Sequence, residues 1–223
     1  VVIPYRLTPE RERLLLYVLA WLTEATAGID ATATVADDAH PDFNRGRAIN
    51  AGVAQTDGDV LAFVDADLMV PGEAFRAGLE AVKNGAAMVV PFTRREELTA
   101  KATAKVLAGA DPWGPWEEDD FEYVMNNRGT GGINILTRAT FEAAGGFDPR
   151  FAGWGYEDSA FADAVETLVG PVEWLSGTAV HLWHPLDPTR HNPALAEAGT
   201  ELCKRYTAAW GNREAMRALI AER

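Results

Sequence analysis

The feature that most limits what this chain can become is a run of five apolar residues, Val60-Leu61-Ala62-Phe63-Val64, ending abruptly on Asp65-Ala66-Asp67. An unbroken apolar run of that length fits a strand buried on both faces, as in parallel sheets covered by helices. The first hundred residues repeat the theme. Val1-Val2-Ile3-Pro4 reads as a short strand closed by proline. Pro9 to Thr23 carries Leu15, Val18, Leu19 and Leu22 at helical spacing, and Thr32 to Val35 is a second strand ended by Asp37-Asp38. Helices are predicted over Asn44 to Gln55 and Glu73 to Lys83, with a strand over Ala87 to Val90. Strands alternating with helices make βαβ units, so the expected class is α/β, with a mostly parallel, Rossmann-like central sheet flanked by helices.

The rhythm breaks at residues 108–131, which read as one long loop containing Asp111-Pro112-Trp113-Gly114-Pro115-Trp116 and an acidic run. Loops of that length inside compact domains usually serve function. Order returns with a strand over Ile133 to Leu136, a helix through Thr140 to Ala144 and a turn at Gly145-Gly146. A helix from about Glu157 to Thr167, strands near Val172–Leu175 and Thr178–Leu182, and a mostly helical tail from Pro193 complete the reading. With no repeat and no low-complexity linker, a single domain over 1–223 is the simplest organisation.

Charge narrows the partners. The 20 basic residues face 33 acidic ones, for a net charge of −13, a poor field for a nucleic-acid backbone. An acidic protein that handles a phosphorylated small molecule needs a local device, such as a metal ion or a few placed arginines. The one cysteine, Cys203, permits no internal disulfide and reads as helix filler. Charges interrupt every apolar stretch well before the ~18 residues of a membrane helix. The opening residues are strand-like rather than basic-then-apolar, so a soluble, cytoplasmic protein is expected.

Three segments carry chemistry. In an open α/β sheet, ligands bind beyond the carboxyl ends of strands, so Asp65 and Asp67 would stand in that crevice. Carboxylates two apart suit Mn²⁺ or Mg²⁺, and such an ion bridges to a diphosphate. The bland alternative is a turn and a helix cap. The second segment is Gly153-Trp154-Gly155-Tyr156-Glu157-Asp158. Capping explains one acid at a helix start, but not a tryptophan between glycines. Aromatic rings stack on sugar faces, and a carboxylate beside a nucleophilic hydroxyl can act as its general base. The third is His181-Leu182-Trp183-His184-Pro185, a pair of imidazoles at a strand end that could complete a mixed oxygen/nitrogen site.

These three pieces, in this order, resemble the β-1,4-galactosyltransferases and their relatives of the GT-A fold. Val2-Ile3-Pro4-Tyr5-Arg6 is similar to that family's opening Val-Ile-Pro-Phe-Arg, and residues Phe43 to Gly52 to its Phe-Asn-Arg-Ala-Lys-Leu-Leu-Asn-Val-Gly helix. Phe63 to Pro71 is similar to its Asp-Val-Asp strand and turn. Gly131-Gly132 through Gly145-Gly146-Phe147 resembles its Gly-Gly to Gly-Phe segment, and Gly153 to Asp158 its Gly-Trp-Gly-Gly-Glu-Asp. The likeness covers about residues 1–190.

The resemblance implies a metal-dependent hexosyltransferase. It would move galactose or an N-acetylgalactosamine-like sugar from a UDP-sugar to an acceptor hydroxyl, with Mn²⁺ or Mg²⁺ as cofactor. Residues 1–100 would be the nucleotide half, 101–190 the acceptor half and 191–223 a helical tail. Pro4, Tyr5, Arg6, Phe43, Arg45, Asp65 and Gly132 would line the donor site, with Arg6 near the diphosphate. Asp37 or Asp38 would hold the base or ribose. Asp65 and Asp67 would form the Asp-x-Asp element, and His184 or His181 would supply the remaining metal ligand. Trp154, Gly155, Tyr156, Glu157 and Asp158 would bind the acceptor, a carbohydrate or glycoconjugate. Asp158 would be the base, and the loop at 111–130 would close over the donor.

Tyr156 stands where the family has glycine, which puts a ring beside the acceptor and suggests an acceptor other than N-acetylglucosamine. Ser159 replaces a frequent third acid. The family's disulfides and membrane stem are missing, as expected of a soluble bacterial or phage-type relative. The retaining polypeptide N-acetylgalactosaminyltransferases carry Asn after the corresponding Glu; Asp158 here favours inversion. The rival readings are a nucleotidyltransferase, which would usually show a glycine-rich basic loop after the first strand, a non-catalytic sugar-binding module, and a structural metal protein built on the two histidines.

Overall fold

The computed structural model describes residues 1–40, 43–126, 128–152, 155–185 and 192–223. Its main sheet is built from β1 (Val2–Pro4), β2 (Thr34–Ala36), β3 (Val60–Val64), β5 (Met88–Val90), β8 (Ile133–Thr137) and β9 (Val172–Trp174), in the order β2-β1-β3-β8-β5-β9. Only β8 opposes its neighbours; the other five strands run one way. The sheet is therefore mostly parallel and formally mixed. Its middle strands are the apolar runs: Leu61, Phe63, Val64, Met88, Val89, Val90, Ile133 and Ile135 are all essentially inaccessible. Each such side chain contributes about 1.5–3 kcal/mol by leaving water.

Helices flank this sheet for legible reasons. In α1 (Pro9–Ala25), Leu14, Leu15, Val18, Trp21, Leu22 and Ala25 recur on one face, and the face is buried. Proline begins the helix, where its missing N–H costs nothing. Helix α2 (Arg45–Val53) starts at Asn44, whose side chain accepts from Arg47 N at 2.8 Å. Asn50 in turn exchanges hydrogen bonds with the backbone of Phe147, at 2.8 and 3.0 Å, and so ties α2 to the segment that carries Phe147. Helix α3 (Gly72–Lys83) lays Phe75, Leu79 and Val82 into the core, with Trp21 edge-on to Phe75 at 5.6 Å. Phe63 is surrounded by Phe141 of α5 (Arg138–Ala143), Phe147, and Phe161 of α6 (Glu157–Leu168). The tail forms α7 (Pro193–Ala209) and α8 (Arg213–Ala221), held through Tyr206, whose hydroxyl donates to buried Asp148 at 2.8 Å.

One expectation is corrected here. Residues 108–131 are not a single loop. They contain β7 (Phe121–Asn126), which pairs antiparallel with β6 (Arg94–Leu98) in a second sheet of order β4-β10-β6-β7, where β4 is Leu68–Met69 and β10 is Thr178–His181. Helix α4 (Ala100–Leu107), capped by Thr99, immediately precedes this stretch. Strand β6 reads Arg-Arg-Glu-Glu-Leu and shows no apolar alternation. Its charges neutralise each other instead, because residues two apart share a face: Arg94 pairs with Glu96 at 2.8 Å and Arg95 with Glu97 at 2.5 Å. Trp113 and Trp116 pack against the core, and Trp116 Nε1 donates to Pro112 O at 2.9 Å.

Gly52 shows how tightly α2 meets the sheet. A Cβ there would press into Val2 Cγ1 and reach Ala36 Cβ at 2.9 Å. Gly52→Val is therefore expected to lower stability by about 1–3 kcal/mol, the usual range for overpacking, read from the urea unfolding midpoint.

Candidate active site

The second sheet assembles the site. Strand β3 ends at Val64, and the chain turns through Asp65-Ala66-Asp67 into β4. Strand β4 pairs antiparallel with β10, with Leu68 opposite His181, and Leu182 N donates to Asp67 O at 2.8 Å. This ladder brings together side chains more than a hundred residues apart. His181 Nε2 lies 3.3 Å from Asp67 Oδ1, and His184 Nε2 lies 3.4 Å from Asp67 Oδ2. Potential ligand atoms of Asp67, His181 and His184 all fall within 4.8 Å of one another. One carboxylate and two imidazoles suit Mn²⁺ better than the all-oxygen surroundings that Mg²⁺ prefers, so the donor set fits the metal that the sequence implies.

Asp67 is 2% exposed. Burial alone would raise its carboxyl pKa, but His181, Arg11 and His184 surround it and hold it far below the usual carboxylate range. The Arg11 guanidinium donates directly to Asp67 Oδ2. Burial would also lower His181, yet Asp67 and Glu97 outweigh that effect and raise it to about 9. His184 moves the other way: burial lowers it, and the nearby Arg11 and His181 charges add to the fall.

The donor-side residues form two groups. Asp65 receives Arg45 Nε at 2.7 Å, and its backbone N donates to Gly132 O at 2.9 Å. Gly132 has φ of 101°, a left-handed value suited to glycine, and a Cβ there would meet Leu68 Cδ1 at 2.9 Å. Arg45 also reaches toward Glu157, with 3.8 Å between Nη1 and Oε1. Among the described residues, both terminal nitrogens of Arg45 are buried without a hydrogen-bond acceptor. The second group gathers Arg6, Asp37, Asp38 and Phe43. Arg6 binds Asp37 at 2.6 Å and Asp38 at 2.8 Å, and lies over the Phe43 ring at 5.3 Å. Asp38 is buried and also accepts from Arg47 and from Asn44 N, whereas Asp37 is 42% exposed. Pro4 closes β1. Tyr5 is buried, and its ring supports Arg11 at 5.9 Å. Arg6 is thus committed to two acids, while Arg11, which nothing in its charged neighbourhood distinguishes in sequence, is the arginine at Asp67.

On the acceptor side, Glu157 and Asp158 open α6. Trp154 and Gly153 lie outside the described residues. Tyr156 has φ of 74° and Gly155 of 100°. The left-handed backbone explains why a glycine is natural at position 156, and a tyrosine there is strained. The Tyr156 ring lies against α7, near Gly199, where it lines a groove of about 380 Å³ with Thr200, Cys203 and Lys204. Asp158 packs so closely on Gly131 that a Cβ there would collide with Asp158 Oδ2. Glu157 is pushed up to about 7, first by burial and then by the Asp158 carboxylate, against the pull of Arg45.

Two family models, a curated protein and several solved structures match the chain. The family described as "Glycosyl transferase family 2" matches residues 37–141, and "N-terminal domain of galactosyltransferase" matches residues 116–184. Together these two models span residues 37–184, and the fold is of the GT-A type. Human chondroitin sulfate synthase 3 is 26% identical over 169 residues, covering 69% of this chain but only 18% of the relative, so the chain spans about a fifth of that protein's length. The catalytic domain of Drosophila β1,4-galactosyltransferase 7 superposes with a TM-score of 0.60 at 19% identity, covering 89% of this chain and 77% of the other. Glucosyl-3-phosphoglycerate synthase from Mycobacterium tuberculosis superposes at 0.55 with 16% identity, covering 95% and 77%. Among the described residues, no helix is long and apolar enough to cross a membrane.

Glu157 yields a test with a defined sign. Its folded pKa lies above the unfolded value, so folding takes up a proton, and stability falls as pH rises from about 4.5 to about 7. Glu157→Gln should remove that decline, leaving the variant more heat-stable than the parent at pH 8 and little different at pH 4, as read by calorimetric melting.

Proposed function

We propose that this glycosyltransferase moves a hexose from a UDP-sugar to an acceptor hydroxyl with inversion, using Mn²⁺. The observation that carries the reading is the convergence of Asp67, His181 and His184 on one point beside Asp65. The solved Drosophila galactosyltransferase is a complex with manganese, UDP-Gal and xylobiose, and the mycobacterial synthase holds Mn²⁺ and uridine diphosphate. Galactose and N-acetylgalactosamine are accordingly the first donor sugars to try.

In this reading Asp67, His181 and His184 hold the ion, which supplies Lewis-acid neutralisation of the leaving diphosphate. The residues of the chain do the rest. Arg45, whose two buried terminal nitrogens meet no acceptor among the described residues, offers them to an anionic donor. Asp65 keeps Arg45 aimed, and Asp37, the exposed acid beside Phe43, takes the ribose or base. Asp158 accepts the proton of the acceptor hydroxyl as that oxygen attacks the anomeric carbon from the face opposite the diphosphate. Attack from that side inverts the configuration. Glu157, poised near neutrality, hydrogen-bonds an acceptor hydroxyl and in its protonated form spares Asp158 a second negative neighbour.

Calorimetric titration of UDP with and without Mn²⁺ tests the donor half. UDP should bind in the presence of Mn²⁺, and Asp67→Ala should weaken that binding by at least about 100-fold, the upper end of what even an indirect metal partner costs. Binding of no nucleoside diphosphate under any metal condition would sink the reading. For the acceptor half, Asp158→Asn should lower kcat by about 10²–10⁴-fold with UDP affinity unchanged. NMR of the product should show the inverted anomer; a retained one would remove Asp158 from the role of base.

A further inference from the structure

The two imidazoles beside Asp67 are held differently, and the difference points to a residue outside the motifs. In the parallel ladder between β6 and β10, Glu97 stands directly opposite His181. Its side chain is 9% exposed, and its Oε2 lies 2.6 Å from His181 Nδ1. The other carboxyl oxygen faces Arg95 at 2.5 Å. Among the described residues His184 has no side-chain partner of this kind: its Nδ1 lies 2.9 Å from the Pro185 carbonyl.

We infer that Glu97 is a positioning residue for the metal site, fixing the ring of His181 so that Nε2 is the nitrogen turned toward Asp67 and the one that would coordinate an ion. The inference rests on the reading that Asp67, His181 and His184 hold a divalent ion. An imidazole that donates through one nitrogen coordinates through the other. With Nδ1–H engaged by Glu97, the coordinating nitrogen is Nε2, the atom 3.3 Å from Asp67 Oδ1. A ring flip would leave Glu97 buried without its donor, which is costly for a carboxylate. The negative charge behind the ring also makes His181 a stronger ligand. The same second sheet steadies the segment between the histidines, since Trp183 N donates to Thr103 Oγ1 of α4 at 2.8 Å. Strand β6 and helix α4 thus act as a backing plate for the ligands.

The experiment measures Mn²⁺ affinity by calorimetry and the visible spectrum of bound Co²⁺ for the parent, Glu97→Gln, Glu97→Ala and Asp67→Ala, with a thermal melt of each. Glu97→Ala should bind Mn²⁺ about 10- to 100-fold more weakly, with a shifted Co²⁺ spectrum as His181 loses its orientation. Glu97→Gln keeps an acceptor oxygen of the same shape but loses the charge, so it should keep the parent spectrum and bind about 10-fold more weakly. A Glu97 that merely paired with Arg95 would lower the melting temperature and leave metal affinity alone. Should the alanine variant not fold, the glutamine variant decides. Folded Glu97 variants that bind Mn²⁺ within about 2-fold of the parent, with its Co²⁺ spectrum, overturn the inference while the metal reading stands on Asp67→Ala. A parent that binds neither ion overturns both.

Discussion

A carboxylate cannot be buried alone. Asp67 sits almost wholly out of water, and the site is organised around balancing its charge. Arg11 comes from the first helix, and His181 and His184 from and just beyond a strand in the last third of the chain. Each must be delivered by a different part of the fold, so the position of one acid constrains α1, the β4–β10 ladder and, through His181, β6. Removing any of these partners would leave charge in a place with poor solvation, which is expensive compared with the net stability of a domain.

The frame around that acid was largely readable from residue order. The apolar run at 60–64 announced a buried strand because its shortness, its valine ends and the acids just beyond it fit a strand better than a helix. Helices α1, α2, α3 and α6 were readable from the spacing of their apolar residues, although of the four only α2 has a side-chain cap at its start. What escaped reading was the second sheet. Strand β6 is two arginines followed by two glutamates and a leucine, and its partner β7 mixes a glutamate and an asparagine with tyrosine and methionine. Such strands are held by ladder bonds and cross-neutralising charges, which leave no hydrophobic signature.

The same limit explains the site. Asp65, Asp67, His181 and His184 belong to compact motifs, so residue type and spacing exposed them. Arg11 and Glu97 each lie among several like-charged neighbours, and only the fold singles them out. A clue to Glu97 does exist in the Arg95–Glu97 spacing just before the Thr99 cap, but it means little until β6 is known to run beside His181. Arg6 shows the converse: a motif position named an arginine, and the structure commits it to Asp37 and Asp38.

The reversed strand β8 has a consequence for how such a protein can vary. Because β5 and β8 are antiparallel neighbours, residues 91–132 leave and re-enter the main sheet at one edge, like the tip of a very large hairpin. Closing a longer excursion between anchored ends adds little entropy cost. That single excursion holds β6, α4, β7 and the Gly131-Gly132 shelf under Asp158. Changes of length or sequence within it would reshape the surroundings of Asp158 and the backing of His181. The five co-directional strands and their helices would stay as they are, so that side of the site can be varied by editing one detour in the chain.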